Sequence, residues 1–220
     1  MKHVMGWYWP DHEVHLIDWL KKALPITLNG RLAYQGTKQL AALEHCKSFN
    51  TAIDIGAHIG LWSYNLAHRF EQVIAFEPVA EHRKCFQANV TAPNVTLVDC
   101  ALGDHEGSAV MEVTKGSSGD SKIGGTVTGT TVDLKRLDDF SLVASIDFIK
   151  IDCEGYEENV LNGAEATILR NMPVIIVEQK RDMAARFGLK PQGAVEWLKA
   201  RGYAVAKELS GDYVMVPAPR

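Results

Sequence analysis

The stretch TAIDIGAHIGLWSYNLAHRF, residues 51–70, constrains the fold more than any other. A short, nearly all-apolar run enters a turn punctuated by Gly56 and Gly60, and a helical pattern follows. A strand that is apolar on both faces needs cover on both, which is the situation of a central strand in a parallel sheet. The same alternation recurs along the chain. Helix 59–69 leads to strand 72–77, helix 80–90 and strand 94–100. A further strand is expected at 108–114, at an edge. Strand 147–152 precedes a helix over about 156–170, which ends before Pro173, and strand 174–178 follows. Helix 191–202 then leads to YAVAKEL and YVMVP, a pair joined by the tight turn SGD. Upstream lie two amphipathic helices, 14–24 with Asp11 as its N-cap and 37–49. The Gly/Ser/Thr-rich stretch 115–131 has no apolar period and is expected to be a mobile loop.

Strands alternating with helices predict an α/β fold: a doubly wound, Rossmann-like, mostly parallel sheet of seven strands closed by a C-terminal antiparallel hairpin. The chain has 220 residues, enough for one good core. Residues 1–48 read as an N-terminal helical extension, a candidate acceptor-facing segment, and 49–220 as the Rossmann-like domain. A net charge of −4 supplies no basic excess for a nucleic-acid backbone. The cysteines Cys46, Cys85, Cys100 and Cys153 are scattered, with neither zinc spacing nor a disulfide framework. The N-terminus lacks the pattern of a secretory signal, and no apolar run approaches the roughly 18 residues that span a bilayer. A cytoplasmic protein without membrane attachment is expected.

In open α/β sheets a ligand sits beyond the carboxyl ends of the strands, where strand order reverses. Asp54-Ile55-Gly56-Ala57-His58-Ile59-Gly60 is such an end. The dinucleotide fingerprint G-x-G-x-x-G is incomplete, because His58 stands where the middle glycine belongs. An acid just before the first glycine suits a ligand with a cationic amino-acid head better than a diphosphate. Glu77 ends the second strand about 20 residues on, where an acidic side chain accepts from ribose hydroxyls. Together they favour an adenosine-type ligand.

DIGAHIGLWS, FEP, ALGD, IDFIKIDCEGYEENVLNGA and VIIVE, in this order and spacing, resemble the FkbM-type family of S-adenosylmethionine-dependent methyltransferases over about residues 50–180. KIDCEGYE, 150–157, is the most specific piece. The resemblance implies class I methyltransferase architecture, S-adenosyl-L-methionine as donor with S-adenosyl-L-homocysteine as product, and a hydroxyl acceptor on a sugar, glycan or polyketide-like metabolite. It places Asp54 and Gly56 at the methionine end, Glu77 on the ribose, and Cys100 and Ala101 beside the adenine. Ala57, His58, Gly60 and Pro78 complete the expected cofactor contacts, with Asp152 and Glu154 facing the reactive centre.

Methyl transfer to an alcohol requires an aligned acceptor and removal of its proton. Asp152, Glu154 and Glu178 are the candidate carboxylates, and crowding can raise the pKa of one of them. A magnesium ion on these acids is the alternative set aside, so no metal is expected. Lys150 lies inside a covered strand, where an unpaired ammonium is costly, and Glu178 is its expected partner. A set of Lys150, Asp152 and Glu178 would instead suit a ribose 2′-O-methyltransferase acting on RNA. His58 is a further candidate base, against the reading of a packed histidine. HEVH, 12–15, reads as helix surface. Trp7-Tyr8-Trp9 with Trp19 reads either as a sugar-stacking lid or as packing of the N-terminus onto the core. Ser117 and Ser118 are the candidate contacts of loop 115–131, should it close as a lid. A nicotinamide-dependent reductase and a non-catalytic nucleoside-binding protein are the remaining alternatives. The first lacks the middle glycine and a Tyr-x-x-x-Lys pair, and the second leaves the acids at Asp152 without a purpose.

Overall fold

Seven strands form the central sheet: β1 (Thr51–Ile55), β2 (Gln72–Phe76), β3 (Val95–Val98), β4 (Ile146–Ile151), β5 (Val174–Glu178), β6 (Tyr203–Leu209) and β7 (Asp212–Pro217). The computed structural model describes residues 1–22, 26–124, 129–142, 145–180 and 182–219. The spatial order is β6-β7-β5-β4-β1-β2-β3, with β7 antiparallel to both neighbours and β1 to β5 parallel. Every residue of β1 is buried, as a continuous apolar central strand requires. The chain leaves β1 for β2 and β3 on one side and returns to β4 on the other. The reversal between β1 and β4 therefore opens a crevice at their carboxyl ends.

The stretch expected as a lone edge strand belongs to a second sheet of four short strands. Their order is Lys122–Ile123, Gly107–Glu112, Thr130–Lys135 and Ala101–Leu102. Its Met111, Val132 and Leu134 join the main core. The expected loop 115–131 is thus partly ordered into a 3-10 turn, Ser118–Asp120, and two strand segments; residues 125–128 lie outside the described residues. Lys122 and Ile123 pair with Glu112 and Met111, long-range partners that a Gly/Ser-rich composition does not reveal.

The helices are shorter than their apolar patterns suggest. The first is His15–Lys22, and positions 23 and 24 of the expected 14–24 helix lie outside the described residues. The second is Gly36–Leu43 and the last Gly193–Lys199. In place of helix 59–69 only Ser63–Leu66 is α-helical, flanked by turns. The expected helix 156–170 is two, Glu157–Asn162 and Glu165–Asn171. They break at Gly163, where a β-carbon would lie 1.8 Å from the Gly103 carbonyl oxygen.

Residues 1–48 hold two hairpins besides their two helices, Lys2–Val4 with Trp7–Trp9 and Thr27–Leu28 with Arg31–Leu32. Trp7 and Trp9 are fully buried, so these two pack the N-terminus onto the core rather than forming a lid, whereas Tyr8 and Trp19 stay exposed. Asn89, on helix Ala80–Asn89, clamps the first hairpin. Its side chain accepts the Tyr8 amide at 2.8 Å and donates to the Tyr8 carbonyl at 3.0 Å. No helix among the described residues is long and apolar enough to cross a membrane.

Candidate active site

The tips of β1 and β4 meet at the crevice. Gly56 has a left-handed backbone (φ +74°), and a β-carbon on it would fall 2.0 Å from the Asp152 carbonyl oxygen. Glycine here is required first for the close approach of two strand ends, and only then leaves the turn free to face a ligand. The amides of Gly56 and Ala57 donate to the Phe76 carbonyl, and that of Asp152 to the Ile55 carbonyl, which fixes the turn on the sheet. His58 and Glu154 have positive φ, 53° and 54°, although neither is glycine. Such conformations persist where the surroundings over-determine them, and these two residues line both of the clefts described next.

The first cleft, about 580 Å³, lies between the β1 turn, the end of β2 and the second sheet. Glu77 forms one wall and is almost fully buried. Its carboxylate accepts the His58 and Val79 amides, each at 2.8 Å, and lies 3.2 Å from His82 Nδ1. Burial pushes its pKa up, but the His82 bond and the backbone donors outweigh this and hold it below the usual value. The oxygen that takes only the His58 amide keeps a lone pair for a hydroxyl. Pro78, Cys100 and Ala101 line the same cleft.

The second cleft, about 1410 Å³, continues from the first across Gly56, His58, Asp152 and Glu154. Asp152, Glu154 and Glu178 each present an oxygen here, all within 4.8 Å of one another. Burial, then the Asp152 charge, pushes Glu154 up to about 8 and Glu178 up to about 9. Lys180 bonds to Glu178 and pulls the other way without overcoming this. The opposite wall is aromatic: Trp19 meets Tyr34 edge-to-face at 5.0 Å.

Lys150 departs from expectation. Its partner is Asp54 at 3.2 Å, its register neighbour on β1, and not Glu178, which pairs with Lys180. Lys150 also donates to the carbonyls of Ile55 (3.2 Å) and Gly56 (2.7 Å). Burial alone would favour the neutral amine, yet the Asp54 and Asp152 carboxylates keep it an ammonium. Asp54 is fully enclosed, bound also by the Ser63 hydroxyl at 2.6 Å, so it stands behind the turn and lines neither cleft. Gly60 lines neither cleft; a β-carbon there would strike Val90 at 2.5 Å. Ala57 lines the second cleft.

Three contributors escaped the motif reading. Glu157, the last residue of KIDCEGYE, turns back to accept the amides of Cys153 (3.1 Å) and Gly155 (2.8 Å), which shapes the loop carrying Glu154. His82 orients Glu77; an acid followed five residues later by histidine on a helix was the available signal. Glu13, within the stretch read as helix surface, is fully buried. It accepts the Leu16 amide at 2.7 Å and so takes the capping place expected of Asp11.

The Methyltransferase FkbM domain matches residues 54–205 of the chain. The chain belongs to the FkbM methyltransferase family. No curated protein matches it in sequence. Among solved structures, the FkbM methyltransferase of Methylobacillus flagellatus is 18% identical with a TM-score of 0.52, covering 76% of this chain. This chain spans only 43% of that protein. The ribosomal protein L11 methylase of Lactobacillus delbrueckii is 10% identical (TM-score 0.52), with 90% of this chain and 83% of that one covered. A candidate methyltransferase from Streptococcus mutans, in complex with SAH, is 9% identical (TM-score 0.51) over 82% and 94% of the two chains. At these identities the likeness is one of fold, and the seven-stranded order of this FkbM protein is that of the class I methyltransferases.

Proposed function

We propose that this FkbM protein is an S-adenosyl-L-methionine-dependent O-methyltransferase acting on a hydroxyl of a small acceptor, a sugar, glycan or polyketide-like metabolite, in the cytoplasm. The observation that carries the reading is the pair of clefts joined across Gly56, His58, Asp152 and Glu154, with an ionised Glu77 in one and three acids in the other. The residues fit the donor: Glu77 retains a lone pair for a ribose hydroxyl, Cys100 and Ala101 offer apolar surface for a base, and the turn at Gly56 and Ala57 borders the passage between the clefts. When bound, S-adenosyl-L-methionine supplies an electrophilic methyl group and leaves as S-adenosyl-L-homocysteine.

The chain's own task is to seat the acceptor and take its proton. Asp152 stands where the clefts meet and is the residue we assign to that role. Burial and the Asp152 charge raise Glu154 and Glu178 above the usual carboxylate range. This favours a shared proton that Glu154 can donate to an acceptor oxygen, since Lys180 already engages Glu178. His58 is a poor base: burial, then the neighbouring His82, Lys150 and His12, holds its pKa well below the ordinary value, and Ser118 occupies its Nε2 at 2.8 Å. The Lys180 ammonium on Glu178 supplies locally the positive charge a metal would bring, so we assign no metal. The Lys150–Asp54 pair withdraws the lysine from the set an RNA ribose methyltransferase would use.

Calorimetric titration with S-adenosyl-L-homocysteine, beside NADH, tests the reading. Micromolar binding of the first, weakened at least tenfold in Glu77→Ala and preserved in Asp152→Asn, is expected. Preference for NADH, or no binding of either, would sink it, and equal losses in both variants would undo the division of roles.

A further inference from the structure

Glu13 lies outside the family match, and no part of the mechanism above uses it. It is fully enclosed, and three donors converge on its carboxylate. Oε1 accepts the Leu16 amide, while Oε2 accepts both the amide and the hydroxyl of Ser118. A buried carboxylate is tolerated only with such a complement. Nearby contacts run the same way: the amides of Val14 and His15 donate to the Gly116 carbonyl at 3.1 and 3.0 Å, and Ser117 Oγ lies 3.2 Å from His15 Nδ1.

From Ser118 the connection continues to the floor of the site. Its hydroxyl lies 2.8 Å from His58 Nε2. Because the single hydroxyl proton is given to Glu13, the bond to His58 requires the imidazole to donate, which fixes the Nε2–H tautomer. The His58 amide in turn donates to Glu77. Ser118, Gly119, Ser121 and Lys122 form the wall of the first cleft that faces Glu77 and Cys100. The N-terminal segment thus grips this wall at Glu13, and the wall touches the glycine turn through Ser118.

We propose that Glu13 is a positioning residue for cofactor binding: it latches segment 116–121 onto His58 so that this segment roofs the nucleoside cleft. The proposal rests on the cofactor reading above. Glu13→Ala removes both anchor points and leaves the Leu16 and Ser118 amides without acceptors. Glu13→Gln keeps the shape with one acceptor oxygen and so can serve only one side of the latch. Ser118→Ala removes the contact with His58.

The test measures S-adenosyl-L-homocysteine affinity and release rate, with amide hydrogen exchange on the full chain. The control is Asp147→Ala, which weakens the far end of β1. Glu13→Ala should weaken binding at least tenfold, chiefly through faster release, with faster exchange confined to 13–18 and 116–123. Ser118→Ala and Glu13→Gln should lie between it and the wild type, and Asp147→Ala should lower stability while leaving the affinity alone. Affinity within about twofold of wild type in Glu13→Gln and Ser118→Ala would overturn the latch, and these two variants carry the test if Glu13→Ala does not fold. An equal loss of affinity in Asp147→Ala would overturn it too, since any loss of stability would then suffice. A wild type that binds no S-adenosyl-L-homocysteine would overturn the cofactor reading and the latch together, whereas a wild type that binds it beside indifferent variants defeats the latch alone.

Discussion

Replacing Lys150 with methionine keeps an unbranched side chain, one heavy atom shorter, and removes its charge. The variant loses the 3.2 Å ion pair with Asp54 and two bonds to the carbonyls of Ile55 and Gly56. Asp54 stays fully enclosed with the Ser63 hydroxyl as its remaining donor. At an effective dielectric of ~20, two charges at that separation attract by about 5 kcal/mol. Part of this is offset by desolvation, and removing one partner of a buried pair costs about 3–5 kcal/mol. With a urea m-value of about 2 kcal/mol/M, the midpoint should fall by roughly 1.5–2.5 M. Lys150→Met/Asp54→Asn removes the stranded charge while still offering Ser63 an acceptor, and should recover about half of the loss or more. Urea unfolding of the wild type, both single variants and the double variant yields the coupling energy. A Lys150→Met cost under about 1 kcal/mol, or a double variant that costs the sum of the singles, would refute the account. If Lys150→Met does not fold, a folded double variant makes the same point.

Asp147 accepts from Ser48 Oγ (2.6 Å), the Asn50 amide and side chain (2.6 and 2.9 Å) and the Thr51 amide (3.3 Å), tying the entrance of β1 to β4. Asp147→Ala should cost about 2 kcal/mol, a fall of roughly 4–8 °C in thermal midpoint. Partial burial raises the Asp147 pKa, but the Ser48 and Asn50 bonds outweigh it and hold the group below the usual carboxylate value. Its contribution is therefore present above about pH 4 and lost as the pH falls through its depressed value, so the variant and the wild type should converge in stability in acid. Glu154 and Glu178 run in the opposite sense. Raised to about 8 and 9, they bind protons more tightly folded than unfolded, so their contribution is full below about pH 4.5 and is lost as the pH rises to about 9. Urea unfolding at pH 5, 7 and 9 should show a smaller decline in Glu154→Gln/Glu178→Gln than in the wild type; parallel declines would refute the crowding of these acids.

The strands of the central sheet were legible because each is a compact apolar run, and a run covered on both faces has few other places to go. Helix extents were less so. The apolar pattern from 156 to 170 is continuous, yet the helix breaks after Gly163, whose carbonyl accepts the Asp138 amide. The Asp138 carboxylate accepts the Ala166 and Thr167 amides at the start of the next helix, and no local pattern carries these contacts. The strand at Lys122–Ile123 was hidden for a similar reason, since its pairing with Met111 and Glu112 outweighs a weak local propensity. The partner of Lys150 was within reach. Asp54 stands two residues before Gly56 and Lys150 two before Asp152, and alignment of the two strand tips brings the pair into register. The end of the neighbouring strand suggests Glu178, but that side chain already has Lys180.

Residues 54–205 supply the floor of the site, and this division explains what sequence reading could reach. Gly56, Glu77, Asp152 and Glu154 sit at strand ends, where topology alone dictates a crevice, so a motif and a fold together locate them. The roof obeys no such rule. Glu13 looks like an ordinary acid at the start of a helix, and it does cap Leu16. Its second oxygen bonds to a residue more than a hundred positions away. A neutral cap would satisfy the helix as well, and what a second carboxylate oxygen adds is this further attachment. Trp19 and Tyr34, on the wall of the second cleft, come from the same N-terminal segment. The second cleft is therefore lined in part by residues that precede the matched domain. The wall of the first, which lies within that domain, is held by Glu13 from the same segment, so a change there alters closure over one and the lining of the other while the floor is left intact.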